Sequence, residues 1–395
     1  VYQVLEIRFK IGYNSFSFCI EERYMMSNEN NNRRNMNASM GSDGESIQNK
    51  IGDSRSQISF PDFNFYKIRT FSGKYADITG DSLLIQYNGH SGDNQKFLIV
   101  TLDDNYSIIA AKHNGKVMLE FYFLGTGSFL QSYFFNIDEQ KFFISDDGTI
   151  AVKKDRKVWD VTGGTSNGSP IIPYTHHGAP NQKFTLERSE SFSVTKPPIG
   201  TLPPAPDFKT TDLNEILPDD TEPVITHATY LPYFMVNDPY YNEQQKIKNS
   251  PYYILVRRQY WEKKTQRIVG AGEKYEYSQT TGVSRTDQTS MTETTEISIG
   301  ADLGFMFKGF SAGLSTSITK TLSVTKSTST EESSEKTETV TDANPFMHTI
   351  ARAKYMLINE YYVTRANGEK VTTGDAAYWR VPNPNQTVTR TIPRT

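Results

Sequence analysis

The chain of 395 residues lacks several features that would define common protein classes. Its one cysteine, Cys19, excludes an intrachain disulfide, so the fold must be held together by packed cores. It has no run of eighteen apolar residues, and this excludes a transmembrane helix. The net charge of −3 argues against a nucleic-acid-binding protein, which would normally carry a basic patch or a high pI.

The first residues also lack the pattern of a signal peptide. Residues 1–24 include Glu6, Arg8 and Lys10, whereas a signal peptide has a continuous apolar core. A protein that acts on membranes without such a signal is expected to leave its cell by another route, such as lysis. Residues 27–57 are rich in Asn, Gly and Ser and are predicted to form a loop or a disordered arm.

We predict that residues 1–57 form an N-terminal arm or propeptide, with an inert tail as the alternative. Paired arginines in a polar arm are easy targets for a trypsin-like protease. The predicted activation cleavage sites are Arg33, Arg34 and, near the other end of the chain, Arg390.

Proline is absent between Pro251 and Pro345, although the chain contains 18 prolines. Long strands require such an absence because proline cannot donate a hydrogen bond to a neighbouring strand. The chain is rich in Tyr and Phe, with 23 of each, and in Ser, Thr and Gly, which favours β structure. The predicted fold class is therefore mainly β.

Within this proline-free stretch, residues 297–324 alternate between apolar and small polar side chains. The apolar residues occupy odd positions up to 307 and even positions from 310, on either side of a Lys308-Gly309 turn signal. Because side chains of a strand alternate between its faces, the pattern predicts a hairpin with two long arms. Each arm is long enough for a membrane-spanning strand, which needs about 9–11 residues. The predicted membrane-inserting residues are Ile297, Ile299, Leu303, Phe305, Phe307, Phe310, Leu314, Ile318 and Leu322.

The alternative for this hairpin is a half-buried pair of strands in an ordinary sheet. The polar face favours insertion, because its Ser, Thr and Gly side chains are small enough to line a barrel. The flanking residues 286–295 and 323–341 are rich in Ser and Thr and are predicted to form long, solvated strands.

An internal repeat occupies the chain from about residue 60 to residue 188. Residues 74–80 (KYADITG) resemble residues 157–163 (KVWDVTG), and residues 86–97 align without gaps with residues 173–184. A degraded middle copy is placed at Lys116-Val117-Met118-Leu119 and Gln131-Ser132-Tyr133. Three copies of a four-stranded unit predict a pseudo-threefold barrel, because one unit cannot bury its own apolar face.

The repeat resembles the ricin B-type β-trefoil, whose units end in Gln-x-Trp. In that family each sugar pocket uses an Asp, an aromatic ring under the sugar and an Asn just before the Gln. A carboxylate accepts hydrogen bonds from sugar hydroxyls, and an aromatic ring covers the sugar's C–H face. The resemblance implies carbohydrate-binding residues Asp77, Tyr87, His90, Asn94 and Gln95 in the first repeat, and Asp160, Tyr174, His177, Asn181 and Gln182 in the third.

The middle copy has Leu119 at the aspartate position and Leu130 at the asparagine position, so its site is predicted to be inactive. Simple core packing is the alternative role for Gln95, Gln131 and Gln182. It does not explain why Asp, Tyr, His and Asn also recur. We therefore favour sugar binding, with galactose-type sugars or glycolipids as the expected ligands.

The remaining chain divides into a linker and a second domain. The trefoil is predicted over residues 58–190, a stiff proline-rich linker over residues 191–223, and the second domain over residues 224–395. An Asp-Pro pair predicts a short helix over residues 239–249. Residues 251–261 (PYYILVRRQYW) predict an aromatic strand.

Residues 251–261, residues 290–305 and Ala111-Lys112-His113-Asn114-Gly115 together resemble the Bin-like binary-toxin family of insecticidal crystal proteins. These proteins join a ricin-type trefoil to an aerolysin-like pore-forming domain, an elongated antiparallel sheet. The likeness covers about residues 58–380. The N-terminal arm and the missing cysteines depart from the family, and the missing cysteines remove any expectation of disulfide bridging.

The resemblance implies a protoxin that is stored in a bacterial parasporal crystal, then released and clipped in an insect gut. It would bind glycans of the target-cell plasma membrane, form a homo-oligomer and insert one hairpin per subunit. The alternatives are a lectin that forms no pore, and the receptor-binding half of a binary toxin with a second component. An enzyme is disfavoured because residues 279–343 contain no His, Tyr, Trp or Cys. No catalytic residue, metal or cofactor is predicted.

Overall fold

The computed structural model describes residues 4–11, 14–21, 62–123, 126–134, 136–371 and 378–393. Strands β1 (Val4–Ile11) and β2 (Asn14–Glu21) pair antiparallel at the start of the chain. Arg33 and Arg34, the predicted cleavage sites of the N-terminal arm, lie outside the described residues. The described chain is mainly β, as predicted.

Twelve strands then form a β-trefoil of three four-stranded units, each with a short 3-10 helix before its last strand. The first unit comprises β3 (Asn64–Thr70), β4 (Tyr75–Ile78), β5 (Leu84–Tyr87), the 3-10 helix Asp93–Gln95 and β6 (Phe97–Thr101). The second comprises β7 (Ser107–Ala111), β8 (Val117–Phe123), β9 (Thr126–Ser132), the 3-10 helix Asp138–Gln140 and β10 (Phe142–Ile144). The third comprises β11 (Ile150–Val152), β12 (Val158–Val161), β13 (Ile171–Tyr174), the 3-10 helix Pro180–Gln182 and β14 (Phe184–Ser191).

The trefoil core is built around the fully buried Trp159. Its indole ring lies 5.2 Å from Phe129, 5.9 Å from Phe142 and 5.7 Å from Phe184, measured between ring centroids. Strand β14 closes the barrel by pairing with β3, with Phe184 opposite Thr70. These rings belong to the second and third units, and the first unit adds Phe97 to the same core, so all three units share one core as the internal repeat requires.

The linker after the trefoil is packed against the second domain. Its residues Ala205, Phe208 and Leu217 are buried in one cluster with Tyr355 and Ile392. The Tyr355 hydroxyl also donates to the Pro218 carbonyl oxygen at 2.6 Å. The apolar linker residues therefore fix this proline-rich segment along the long sheet.

The second domain contains nine further strands and three α-helices among the described residues. The strands are β15 (Val224–Pro232), β16 (Tyr252–Val269), β17 (Lys274–Thr281), β18 (Ile297–Ile299), β19 (Phe305–Phe307), β20 (Lys336–Ala343), β21 (Ile350–Thr364), β22 (Lys370–Val371) and β23 (Trp379–Ile392). The helices are α1 (Glu243–Asn249), α2 (Arg285–Thr295) and α3 (Ser315–Leu322), with 3-10 helices at Tyr233–Met235 and Gly309–Leu314.

A long antiparallel pair, β16 and β21, forms the axis of this domain. It extends from Ile254 opposite Thr364 to Val269 opposite Ile350, with β15 beside β16 and β23 beside β21. The predicted aromatic strand is the buried first part of β16. Beyond the far end of this pair, β17 and β20 form a separate two-stranded ribbon rich in Ser, Thr and charged residues.

The two long hairpin arms predicted over residues 297–324 are not present as strands in this structure. The first arm folds back on itself, so that β18 pairs with β19 and Ile297 lies opposite Phe307. Asp302 accepts a hydrogen bond from the Gly304 amide at 3.1 Å, and Leu303 has a φ of +62°, so this turn interrupts the strand. The second arm forms the 3-10 helix Gly309–Leu314 followed by α3.

The second arm misled prediction because its apolar spacing fits two structures. Leu314, Ile318 and Leu322 all lie on even positions, as in a strand, but they are also four residues apart. Four-residue spacing places side chains on one face of a helix, and all three are buried. The sequence of this arm therefore does not distinguish a strand, whose faces repeat every two residues, from a helix, in which residues four apart share a face.

Two further expectations about local structure are wrong. Residues 286–295, predicted as a strand, lie in α2, where the hydroxyls of Thr292, Thr294 and Thr295 bond carbonyls one turn earlier at 2.7–2.8 Å. The helix predicted over residues 239–249 begins only at Glu243, because Asn242 forms the N-terminal cap.

No helix in the described part of the chain is both long and apolar enough to cross a membrane.

The largest core is shared between the trefoil and the second domain. It joins trefoil residues such as Leu98, Ile108 and Phe134 to second-domain residues such as Tyr253 and Phe305. The trefoil loop that ends at Gly115 is also anchored, because the Tyr233 hydroxyl donates to the Gly115 carbonyl oxygen at 2.7 Å. The trefoil is therefore packed against the second domain rather than tethered to it.

Asp238, predicted to start a helix, is instead the centre of a buried ion pair. Its carboxylate accepts two hydrogen bonds from Arg365, at 2.7 and 2.8 Å, and one from the Tyr253 hydroxyl at 2.9 Å. Burial alone raises the pKa of the Asp238 carboxyl, but the hydrogen bonds from Arg365, the Tyr240 amide and Tyr253 hold it below its ordinary value.

Asp238→Asn is expected to lower the free energy of unfolding by about 3 kcal/mol, because it leaves the buried Arg365 charge with only the exposed Glu369 as an ionic partner. Urea unfolding at neutral pH measures this change. The ion pair stabilises the fold above the ordinary carboxyl pKa of about 4, and the stabilisation is lost as the pH falls through the lower folded-state pKa. Asp219→Asn, which removes the exposed partner of Lys263, is the control and should leave stability nearly unchanged. Equal unfolding midpoints for both variants would contradict the role of Asp238.

Candidate carbohydrate-binding sites

The first trefoil repeat brings its predicted polar site residues together around one carboxylate. Asp77 is 5% exposed and lies on β4, which pairs with β5. Asn94 donates to its Oδ1 at 2.6 Å and Gln95 to its Oδ2 at 2.8 Å, both from the 3-10 helix Asp93–Gln95. The His90 Nε2 atom lies 2.8 Å from the same Oδ2.

The third repeat reproduces this arrangement around Asp160, which is also 5% exposed. Asn181 donates to Oδ1 at 2.9 Å, Gln182 donates to Oδ2 at 2.8 Å, and His177 Nε2 lies 3.0 Å from Oδ2. The geometry thus follows the repeated residue types and not the surrounding sequence, which differs between the two repeats.

The buried glutamines hold the loop as well as the carboxylate. The amide nitrogen of Gln95 also donates to the Asn88 carbonyl oxygen at 2.9 Å, and its side-chain oxygen accepts from the His90 amide at 3.0 Å. Gln182 makes the equivalent bonds to Thr175 and His177, at 2.9 and 2.8 Å. Each glutamine therefore fixes the histidine loop over the aspartate, whether or not it touches a ligand.

An exposed tyrosine stands beside each polar cluster. Tyr87 is 42% exposed and Tyr174 is 52% exposed, so both rings are open to a ligand. Each ring meets the neighbouring histidine edge to face, at 6.3 Å for His90 and 5.9 Å for His177. An exposed ring next to a fixed carboxylate matches the needs of a sugar, which has one apolar face and a rim of hydroxyls.

Each carboxylate retains capacity to bind a ligand. Its two oxygens offer about four acceptor positions, of which the Asn, Gln and His contacts use three. Among the described residues, no lysine or arginine lies within 4 Å of Asp77 or Asp160. An incoming hydroxyl therefore does not have to displace an ion pair.

The middle repeat was aligned incorrectly from the sequence. Its 3-10 helix ends at the buried Gln140, not at Gln131, and the triplet Gln140-Lys141-Phe142 repeats residues 95–97 and 182–184 letter for letter. Gln131 lies in β9, where its side-chain oxygen accepts from Asn114 at 2.8 Å. The identical triplet was the signal that could have located the true repeat.

The corrected alignment changes the residues of the middle site but not its missing aspartate. Leu119 lies at the aspartate position, as predicted, whereas the residue before the glutamine is Glu139 and not Leu130. Glu139 forms an ion pair with Lys154 at 2.9 Å. The amide of Gln140 donates to the Ser132 hydroxyl at 2.7 Å, in place of the bond that Gln95 and Gln182 make to an aspartate.

The predicted membrane-inserting residues occupy the shared core. Six are buried there and three pack against it from partly buried positions. The buried residues are Ile297, Ile299, Phe305, Leu314, Ile318 and Leu322, and the partly buried ones are Leu303, Phe307 and Phe310.

Arg390, predicted as a cleavage site, lies in β23 opposite Ala353 of β21. Its guanidinium donates to the Pro206 and Ala205 carbonyl oxygens of the linker, at 3.2 and 3.0 Å. A protease acts on extended, accessible backbone, so cleavage at Arg390 would first require β23 to leave the sheet.

Comparison with known proteins shows what this chain is similar to. Residues 224–393 match the family described as "Insecticidal Crystal Toxin, P42". The chain is 25% identical to the binary larvicide subunit BinB of Lysinibacillus sphaericus over 297 residues, which are 73% of this chain and 65% of that protein. It is 25% identical to the binary larvicide subunit BinA of the same organism over 313 residues, which are 76% of this chain and 81% of that protein.

The crystal structure of Cry35Ab1 has the same fold, with a TM-score of 0.68 and 21% identity, over 83% of this chain and 90% of that one. The alignments to both larvicide subunits are longer than either domain, so the likeness is not confined to the trefoil or to the sheet. Together with the match over the second domain, they show that this chain is similar to the Bin-like insecticidal crystal toxins over most of its length.

Proposed function

We propose that this protein is an insecticidal protoxin that binds cell-surface glycans through its trefoil and forms a pore with residues 297–324. The observation that carries the proposal is the burial of this alternating segment in a core that the glycan-binding domain shares. The chain spans 65% of the length of the BinB subunit it matches, so the activity is inferred from its own residues.

Glycan binding is supported by the pair of equivalent clusters around Asp77 and Asp160. Each combines a carboxylate with one free acceptor position, an asparagine amide and an exposed tyrosine ring. Hydroxyls of a galactose-type sugar would bond the carboxylate while the ring covers the sugar's apolar face.

Pore formation is supported by the composition of residues 297–324. Extended as two strands, they would present one apolar face and one face of small polar side chains, which is the pattern of a membrane-spanning barrel. A single hairpin leaves its edges unpaired in lipid, so the proposal requires several subunits to close a barrel. A homo-oligomer is therefore part of the mechanism and not an addition to it.

A second candidate function is the receptor-binding half of a binary toxin. The relatives BinA and BinB are named as subunits of a binary larvicide, and this favours a partner protein. In that case the chain alone would behave as a lectin and would need the second component before any membrane is breached. In either case we propose storage in a parasporal crystal and action at the insect gut.

Dye release from vesicles that contain a galactose-terminated glycolipid tests the proposal. The protein is treated briefly with trypsin, and free galactose is added as a competitor in a parallel sample. Release that galactose suppresses supports a glycan receptor that leads to a pore. Vesicle binding without release contradicts pore formation by this chain alone and favours the lectin or the binary subunit.

Asp77→Asn combined with Asp160→Asn is expected to weaken glycan binding roughly tenfold or more, because a neutral amide replaces the charged acceptor at both sites. Binding to immobilised galactosides by surface plasmon resonance measures the loss. Glu139→Gln makes the same carboxylate-to-amide change in the middle repeat, where Glu139 lies at the asparagine position, and this control variant should bind normally. Unchanged binding by the double variant would disprove the assignment of these sites.

Leu303→Asp is expected to abolish dye release while glycan binding persists, since a charge on the lipid side of a barrel strand is destabilising and the cost recurs in every subunit. Ala312→Asp is a cleaner version, because Ala312 is exposed in this structure and lies on the same predicted face.

Thr321→Asp is the matched control for Ala312→Asp. Thr321 is also exposed but lies on the predicted polar face, so this variant should still release dye. Equal release by the Ala312 and Thr321 variants would refute the predicted arrangement of the two faces.

A further inference from the structure

Helix α3 has no N-terminal cap within its own segment. The residue before it, Leu314, offers no side-chain acceptor. The cap comes from the trefoil, where the Asp103 carboxylate accepts from the Thr316 amide at 2.7 Å and the Ser317 amide at 3.2 Å. It also accepts from the Ser317 hydroxyl at 2.5 Å. A carboxylate at this position satisfies free amides and complements the helix dipole.

The trefoil holds the preceding residues 309–314 as well. The Asp103 amide donates to the Gly313 carbonyl oxygen at 2.9 Å, and the Asn136 side chain donates to the Gly309 carbonyl oxygen at 3.1 Å. Phe134 packs against Phe310 with ring centroids 4.8 Å apart. These contacts make residues 102–103, Phe134 and Asn136 one surface that supports the first half of the second arm of the predicted hairpin.

The other end of α3 is held by its own domain. Arg257 of β16 donates to the Leu322 and Ser323 carbonyl oxygens, each at 2.9 Å. Its position is fixed by two further bonds to Asn359 of β21, at 3.1 and 2.9 Å. Separation of the trefoil would therefore release the N-terminal end of α3 and leave the C-terminal end attached.

The sequence of α3 makes it dependent on such support. Its eight residues are STSITKTL. They include no alanine, and five are Ser or Thr, which have low helix propensity. Helices of this length are marginal in water without tertiary contacts. The same residues alternate as a strand would, so the helical form depends on what surrounds it.

We propose that Asp103 is a latch by which the trefoil keeps residues 309–322 helical and unable to insert. When the trefoil moves away, the helix loses its cap and its apolar cover together, and the segment becomes free to extend. A role of this latch in toxicity rests on the proposed pore-forming function. Its role in keeping the segment helical does not depend on that function.

Amide hydrogen exchange of the full chain tests the latch without any membrane. Asp103→Ala removes the side-chain acceptors, and should speed exchange across residues 315–322 about fivefold, the effect typical of losing a helix cap. Asp104→Ala is the matched control in the same turn, because Asp104 instead pairs with Lys153 at 2.9 Å. Unchanged exchange at residues 315–322 in Asp103→Ala would overturn the proposal.

A reversible crosslink tests whether the segment must leave the trefoil. Asp103→Cys and Ser317→Cys are combined in a Cys19→Ser background, so that the two new thiols are the only ones. The oxidised protein should release at least tenfold less dye than the reduced protein, which should be at least as active as the parent. Equal release by the oxidised and reduced forms overturns the latch.

The two proposals fail in different ways. If the parent protein releases no dye under any trigger, pore formation by this chain is wrong, and the exchange experiment still decides whether Asp103 holds the helix. If the parent releases dye and the crosslink has no effect, pore formation stands and the latch is wrong.

Discussion

The structure depends on covering the apolar side of residues 297–324. Neither domain does this alone, because the segment lies in a core to which trefoil residues such as Phe134 and sheet residues such as Tyr361 both contribute. Exposed apolar surface costs about 25 cal/mol for each Å². Pulling the domains apart is therefore unfavourable unless lipid or another copy of the chain covers the same surface. The trefoil consequently stabilises the resting form, besides any role in binding.

Much of the fold followed from the residues themselves. The repeat of Asp, Tyr, His, Asn and Gln located both polar clusters of the trefoil, because an arrangement built twice leaves its residue types in register. The aromatic residues 251–261 indicated the long strand β16, whereas the proline-free stretch also contains α2 and α3 and did not mark strands throughout. These features are local or periodic, so they can be recognised in a single sequence.

Other features were not visible in this way. The middle repeat was misplaced because its aspartate is replaced by Leu119 and because Gln131-Ser132-Tyr133 imitates the Gln-x-aromatic pattern, although the identical triplet begins at Gln140. Residues 315–322 carry a pattern that suits strand and helix alike, and their surroundings decide between the two. Asp103 and Thr316 are 213 residues apart, so no local pattern predicts that one caps the helix of the other.

The three units of the trefoil contact the second domain unequally. The loop at Gly115, Phe134 and Asn136 belong to the middle unit, and all three contact the second domain. The first unit also contributes to the shared core, through residues such as Leu98 and Val100, so the unit without an aspartate and the first unit both pack on the second domain. The clusters around Asp77 and Asp160 belong to the first and third units. If both clusters bind sugar as proposed, one rigid domain offers two linked sites, and avidity would make it respond steeply to the density of glycans on a surface. If a single site binds only weakly, the protein would then not bind stably to a cell with sparse receptors.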